Sequence, residues 1–246
     1  HIIIDTYYKT YLFIVHIYSP YAAIFLYTFS LSKNGKNIFT DADDPAGVSE
    51  EGYAFMAGIL EHIADMSLVT NPLVNSYKRL VPGYEAPVHI TWATSNTSSL
   101  VRVPGSREPG FLAPLRVSWS VHNSSPLIRL TSVGGDGGRI ILRSPDGAAN
   151  PYLVIAACLA AGLDGIKRNL QPPVCMDKMS KEELAGREKL PRTLYEAVKR
   201  FENDAFLRDV LGAHVSNYLI STKDAEWEEY CRQVTKWETD RYLGTV

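Results

Sequence analysis

Apolar residues follow different rhythms along the chain, and each rhythm predicts a different element. Residues 1–29 are crowded with Ile, Tyr and Phe, carry only Asp5 and Lys9 as charges and contain no Gly, so core strands or drifted sequence are expected there. The stretch 11–29 is apolar enough to weigh as a membrane span. His16, Ser19 and Pro20 interrupt it, however, and neither a basic leader nor a small-residue cleavage site accompanies it, so no span is expected. Residues 32–35 and 41–47 are turn-rich, and 36–39 between them reads as a short strand. Ser49 then precedes Glu50 and Glu51, and Phe55, Ile59, Ile63 and Met66 recur at helical spacing. This predicts a helix capped by Ser49, with Glu61 and His62 on or near its outer face. His62 is expected to be a surface or boundary residue, because no Cys or carboxylate sits near it at metal spacing.

Residues 75–87 read Asn-Ser-Tyr-Lys-Arg-Leu-Val-Pro-Gly-Tyr-Glu-Ala-Pro and follow no hydrophobic period. Two prolines and a glycine cannot continue a helix or a central strand, so an ordered loop is expected, with Arg79 and Glu85 facing a site rather than a core. An internal repeat begins at its end. Ala86, Pro87, Trp92, Asn96, Ser98 and Arg102 recur, 27 residues on, as Ala113, Pro114, Trp119, Asn123, Ser125 and Arg129. Each copy alternates through its Trp, turns, and ends in a short apolar strand at Arg, a hairpin-like unit. Two copies are too few for a solenoid, so residues 86–129 read as a local tandem duplication. The copies are unequal, since Glu85 before the first corresponds to Leu112 before the second.

Further along, 139–142 reads as a strand leading to Arg143 and a Ser-Pro-Asp-Gly turn at 144–147. Asn150 followed by Pro151 marks a helix start, and the Ala-rich helix over 152–163 is apolar nearly all round, so burial is expected. Pro172 and Pro173 begin a linker. Ser180 with Glu183 forms a capping box, and amphipathic helices are predicted over 193–201, 205–211 and about 216–243. Trp227, Tyr230 and Trp237 in the last of these suggest packing or subunit contacts rather than a cofactor box.

The composition is that of an ordinary globular protein: 246 residues, 46% hydrophobic, 21% charged, net charge -2. With 25 Lys and Arg against 27 Asp and Glu and no basic tract, nucleic acid is not an expected partner. The three cysteines, Cys158, Cys175 and Cys231, lack CxxC spacing, which argues against a disulfide framework or zinc knuckle and for a reducing, cytoplasmic setting.

With these motifs in hand, the chain resembles the C-terminal catalytic portion of a type I glutamine synthetase. Asn71-Pro72-Leu73-Val74-Asn75-Ser76-Tyr77-Lys78-Arg79 running into Gly83-Tyr84-Glu85-Ala86-Pro87 looks like that family's glutamate-binding and flap region. Ser144-Pro145-Asp146, Ala148-Ala149-Asn150-Pro151-Tyr152 and Ala161-Gly162-Leu163-Asp164-Gly165-Ile166 look like its final catalytic strand and buried helix. The resemblance runs from about Ser30 to the C-terminus. It implies an α+β fold, a partial glutamine-synthetase-type catalytic barrel whose antiparallel sheet is covered by helices. The organisation it suggests is a divergent apolar segment at 1–29 and a catalytic domain at 30–246, the latter with a helical part at 174–246.

The same resemblance implies ATP-dependent ligation of ammonia to glutamate through a γ-glutamyl phosphate, with Mg or Mn, in a cytoplasmic homo-oligomer. Arg79 and Arg143 would bind glutamate carboxylate, for which guanidinium offers a planar fork. Glu85 would attract ammonium and take its proton. Arg139, with Arg102 or Arg129, would neutralise ATP phosphates. The metal ligands are where the pattern breaks: the family's metal-binding His corresponds to Leu26 and its metal-binding Glu, two residues before Arg143, to Ile141. Neither side chain can bind a divalent cation. The arginine of the family's Asn-Arg-Ser triplet is Thr97 in one copy and Ser124 in the other. A ligase by lineage and a non-catalytic relative or truncated remnant lacking metal ligands therefore both stand at the level of sequence.

Overall fold

Strands β1 (Tyr8–Ser19) and β2 (Ala22–Lys33) form an antiparallel hairpin, with Tyr8 opposite Lys33 and Ser19 opposite Ala22. In this computed structural model the described residues are 8–19, 22–44, 46–81, 88–93, 101–102 and 139–244; for 8–26, 101–102, Asp177 and Lys181 the description is of the backbone alone. Within the apolar N-terminal stretch, residues 8–19 and 22–29 are strand, and β2 runs without interruption across position 29. Among the described residues no helix is long and apolar enough to cross a membrane. Asn34 (φ 52°) and Gly35 (φ 79°) turn β2 into β3 (Lys36–Asn37), the pair of left-handed residues that suits a two-residue hairpin loop.

The sheet order is β1-β2-β6-β5-β4, with β3 on β2. Here β4 is Trp92–Ala93, β5 Val101–Arg102 and β6 Ile140–Leu142. All pairings are antiparallel except β4 with β5, which is parallel and departs from the expected antiparallel sheet. The strands β4 and β5 come from the first copy of the repeat. The second copy lies outside the described residues.

Side chains alternate across β2 and β6. Tyr27, Phe29, Leu31, Ile140 and Leu142 are buried in the core, where Phe29 meets Phe55 at 5.9 Å and Phe39 meets Phe55 at 5.0 Å between ring centroids. Phe55 belongs to α1 (Glu50–His62), which begins where expected: the Ser49 hydroxyl accepts from Gly52 N at 3.1 Å. Helix α3 (Pro151–Arg168) lies against α1 and is capped by Asn150, whose side chain accepts from Tyr152 N at 3.0 Å. It is not buried all round as its composition suggests. Val154, Ala157, Cys158 and Ala161 face the core, while Tyr152 is 81% exposed.

The C-terminal region is helical. After the single-turn α2 (Ser67–Thr70) and the short α4 (Lys181–Ala185) with its Ser180–Glu183 capping box, α5 (Leu194–Asn203) buries Leu194, Ala197, Val198 and Phe201 at helical spacing. Helix α6 (Ala205–Cys231) is broken at Gly212 (φ 77°, ψ 156°), one residue past the boundary anticipated at Leu211. The long helix anticipated to 243 is two: α6 ends at Cys231, and Thr235 with Glu238 forms a fresh capping box for α7 (Lys236–Tyr242).

Candidate functional site

The site begins where β6 ends. Because Ile140 and Leu142 point into the core, the pleat sends Arg139, Ile141 and Arg143 to the other face of the strand. On that face Ile141 stands opposite Thr28 of β2 on one side and opposite Arg102 of β5 on the other. Arg143 is buried and leads into Ser144, also buried. The chain then turns at Asp146. Its Oδ1 accepts from Ala148 N at 2.8 Å, its carbonyl accepts from Ala149 N at 3.1 Å, and its own N–H donates to Thr70 O at 2.8 Å. That last bond ties the turn to α2.

Arg79 approaches from the other side of the chain. It follows the 3-10 turn Val74–Lys78, which is closed by Leu73 N donating to Ser76 Oγ at 3.1 Å and anchored by Tyr77, whose hydroxyl donates to Ser67 O at 3.4 Å. Helix α6 holds the same turn from outside: Val74 N donates to Glu226 Oε1 at 3.5 Å, and Lys78 Nζ lies 5.6 Å from the Tyr230 ring centroid. Trp227 packs at 5.7 Å on Tyr230 and 6.4 Å on Tyr195, a structural role for the helix aromatics.

Arg79, expected to face a site rather than a core, is 6% exposed. Its guanidinium is drawn inward by three acceptors. Nε donates to Asp146 Oδ2 at 3.1 Å, and Nη2 donates to Asn71 Oδ1 and to the Ser144 carbonyl. Nη1 meets no acceptor among the described residues. Burial pulls the guanidinium below its ordinary pKa and Asp146 opposes that pull, so the ion pair keeps a buried cation charged. Burial likewise pushes the Tyr77 phenol upward. The arrangement is a fixed, buried, positively charged fork, which is chemistry suited to a carboxylate.

Of the arginines singled out in the sequence, Arg79 reaches the backbone beside Arg143, by donating to the carbonyl of Ser144, the next residue, and both arginines are buried. Arg139 lies four residues before Arg143, and the backbone of Arg102 is placed beside Ile141. Glu85 and Arg129 lie outside the described residues. Sequence reasoning missed Asn71, Ser144 and Asp146 as partners of Arg79. Asp146 was legible only as a turn residue, and the Oδ1 bond to Ala148 shows that signal to be real but half of its role.

His62 is a boundary residue, 12% exposed, with Nε2 3.7 Å from Asp164 Oδ2 and Nδ1 3.7 Å from Asp204 Oδ2; its ring stacks on Phe206 at 4.3 Å. These partners are remote in sequence, so local spacing gave no sign of them. An open cleft of about 590 Å³ beside it is lined by none of the residues around Arg79. Charges there are spent on one another: Arg200 pairs with Asp65 at 3.4 Å and Glu188 at 2.8 Å, and Lys199 with Glu202 at 3.0 Å.

The described residues do not fit a divalent metal. No three of His, Cys, Asp or Glu stand together as ligands among them, and Ile141 offers no donor atom.

Comparison with known proteins bears on this geometry. The chain matches the family model described as glutamine synthetase, catalytic domain, in two segments, residues 27–110 and 107–242. It is 43% identical over 221 residues to a glutamine synthetase of Clostridium saccharobutylicum, covering 87% of this chain and 44% of that protein. A glutamine synthetase of Methanosarcina mazei is 40% identical over 223 residues, covering 88% of this chain and 44% of that protein. Among solved structures, GmaS without ligand superimposes with a TM-score of 0.69 at 35% identity, covering 89% of this chain and 44% of that one. GmaS in complex with ADP gives 0.70 at 34% identity, covering 90% and 46%. The chain therefore spans less than half the length of the relatives it matches.

Proposed function

The chain belongs to the glutamine synthetase family, and from that premise we propose that it carries the glutamate-binding half of an ATP-dependent glutamate–ammonia ligase. The observation that carries this reading is the buried guanidinium of Arg79, anchored on its Nε and Nη2 side and left with Nη1 unpartnered among the described residues. A fixed guanidinium holds and orients a carboxylate substrate, and orientation is a large part of what such a reaction needs from a protein.

In this reading an oxygen of glutamate's γ-carboxylate attacks the γ-phosphorus of ATP and ADP leaves. Ammonia then attacks the acyl carbon, inorganic phosphate departs, and the proton lost from nitrogen passes to Glu85, giving glutamine. Arg139, with Arg102 or Arg129, neutralises phosphate charge as it develops. ADP in the GmaS complex is in keeping with a nucleotide partner of this class. The partial barrel, ring assembly and cytoplasmic setting of the family belong to the same proposal.

Leu26 and Ile141 give a second reading its footing. At both positions the family's metal donor is replaced by a hydrocarbon, which favours a relative that binds substrate without turning it over. An assay with ATP, glutamate and ammonia, in Mg or Mn, separates the two, with Glu85→Ala as control. Glutamine formation abolished by that change supports the ligase; glutamate binding without turnover supports the binding protein; neither activity defeats both.

A further inference from the structure

We propose that Asp146 is a positioning residue for Arg79, acting with Asn71 to fix the guanidinium so that Nη1 alone is turned toward a bound amino acid's carboxylate. The inference rests on the glutamate-binding reading and goes beyond it, because it assigns a role to side chains outside the arginines.

The geometry divides the labour. A guanidinium is planar, with one N–H on Nε and two on each terminal nitrogen, so engaging Nε and Nη2 fixes the plane and leaves Nη1 as the free end. Asp146 Oδ2 takes Nε at 3.1 Å, while Asn71 Oδ1 and the Ser144 carbonyl take Nη2. Asn71 is itself oriented, since its Nδ2 donates to Thr70 Oγ1 at 2.9 Å. The two supports are one unit: Asp146 N donates to Thr70 O at 2.8 Å, in the residue before Asn71. A side chain as long as arginine, without this collar, would spread its charge over many rotamers and present no fixed fork.

The two oxygens of Asp146 have separate tasks, and this makes the proposal testable. Oδ1 closes the turn by accepting from Ala148 N at 2.8 Å, and Oδ2 holds Arg79. Asp146→Asn retains an Oδ1 for the turn but places an amide donor where Nε needs an acceptor. The turn survives, and the aim of Arg79 does not.

The test uses the whole 246-residue chain. L-glutamate is titrated calorimetrically into wild type, Asp146→Asn and Asp146→Glu, and the Arg79 Nε–H resonance, identified by its disappearance in Arg79→Lys, is followed for protection from solvent exchange. We expect Asp146→Asn to keep the native circular dichroism, to lose that protection, and to bind glutamate about tenfold more weakly, the scale of one charge-assisted hydrogen bond. Asp146→Glu should recover part of both. Equal affinity and an equally protected Nε–H in Asp146→Asn would overturn the proposal while leaving the glutamate reading intact. If wild type binds no glutamate, the glutamate reading falls and the resonance alone decides the part of Asp146, lost protection supporting it and retained protection overturning it. Should Asp146→Asn not fold, Asn71→Ala is read by the same two signals.

Discussion

Gly58 of α1 and Gly165 of α3 touch backbone to backbone: a Cβ built on Gly165 would stand 2.8 Å from Gly58 Cα and 2.1 Å from the Ala54 carbonyl oxygen. A Cβ on Gly58 would meet the Ala161 carbonyl at 2.1 Å. Neither obstacle is the end of a flexible side chain, so the helices themselves must part. Gly165→Ala should therefore destabilise the chain by about 1–3 kcal/mol, the usual cost of overpacking, although alanine is the better helix former. Thermal unfolding checks this; a fall of about 3 °C or more is expected, and an unchanged Tm would show that the helices do not approach so closely.

Tyr53 predicts an alkaline limit to stability. Its hydroxyl donates to Asp44 Oδ2 at 3.0 Å, and burial, reinforced by that carboxylate, raises the phenol from 10 to about 12. Below pH 10 folded and unfolded chains both keep the proton, so the contribution is fully present. Between 10 and 12 the unfolded chain releases it first, and stability is lost as pH rises through the folded value. At neutral pH Tyr53→Phe should cost about 1 kcal/mol for the lost hydrogen bond. Urea denaturation at several pH values should show that gap closing from pH 10 upward, and a constant gap would contradict the assignment.

The thiols should differ sharply. Cys231 is exposed, Cys175 and Cys158 are buried, and burial pushes the Cys158 thiol up to about 12. Since the thiolate is the reactive form, a disulfide reagent added to native chain should modify Cys231 quickly and leave Cys158 until the chain unfolds. Peptide mapping after a short exposure reads the outcome, and early labelling of Cys158 would mean that α3 opens locally in the native state.

How much of this was legible beforehand depended on how far apart the interacting residues lie. Caps were legible because they are local: Ser49, Asn150 and the Ser180–Glu183 box each act within three residues, and all three sit where the sequence places them. The strand read over 139–142 is also local, and β6 stands there with Ile140 and Leu142 buried in the core. Contacts across the chain were not. Arg79 is fixed by Asp146, 67 residues away, and nothing in the spacing of a Ser-Pro-Asp-Gly turn announces an ion pair. His62 finds its aspartates through the packing of α1 against α3 and α6 in the same way. The parallel pairing of β4 with β5 was missed for a different reason. A hairpin-like pattern fixes alternation but not strand direction, which is set by pairing with strands remote in sequence, as β5 pairs with β6.

Ile141 yields the last prediction, because its place in the ladder says what a carboxylate there would meet. It stands on the strand face it shares with Arg139 and Arg143, opposite Thr28, and is only partly buried. Ile141→Glu would thus set an anion two residues from an arginine on each side along the chain rather than in the apolar core, and opposite charges nearby favour its ionised form. We expect the variant to fold with little change in Tm. Magnesium commonly binds through one or two carboxylates together with nucleotide phosphates, so a single restored carboxylate can suffice to couple metal to nucleotide even where three protein ligands are lacking. Wild-type affinity for ADP should therefore be insensitive to EDTA, whereas Ile141→Glu should bind ADP roughly tenfold more tightly with Mg than without it, about 1.4 kcal/mol of coupling. Adding Leu26→His should widen that ratio. Equilibrium titration of a fluorescent ADP analogue in Mg and in EDTA measures both quantities. A wild-type chain already dependent on Mg would show that metal donors lie elsewhere in the chain, and an Ile141→Glu chain indifferent to Mg would show that this strand face does not reach the nucleotide.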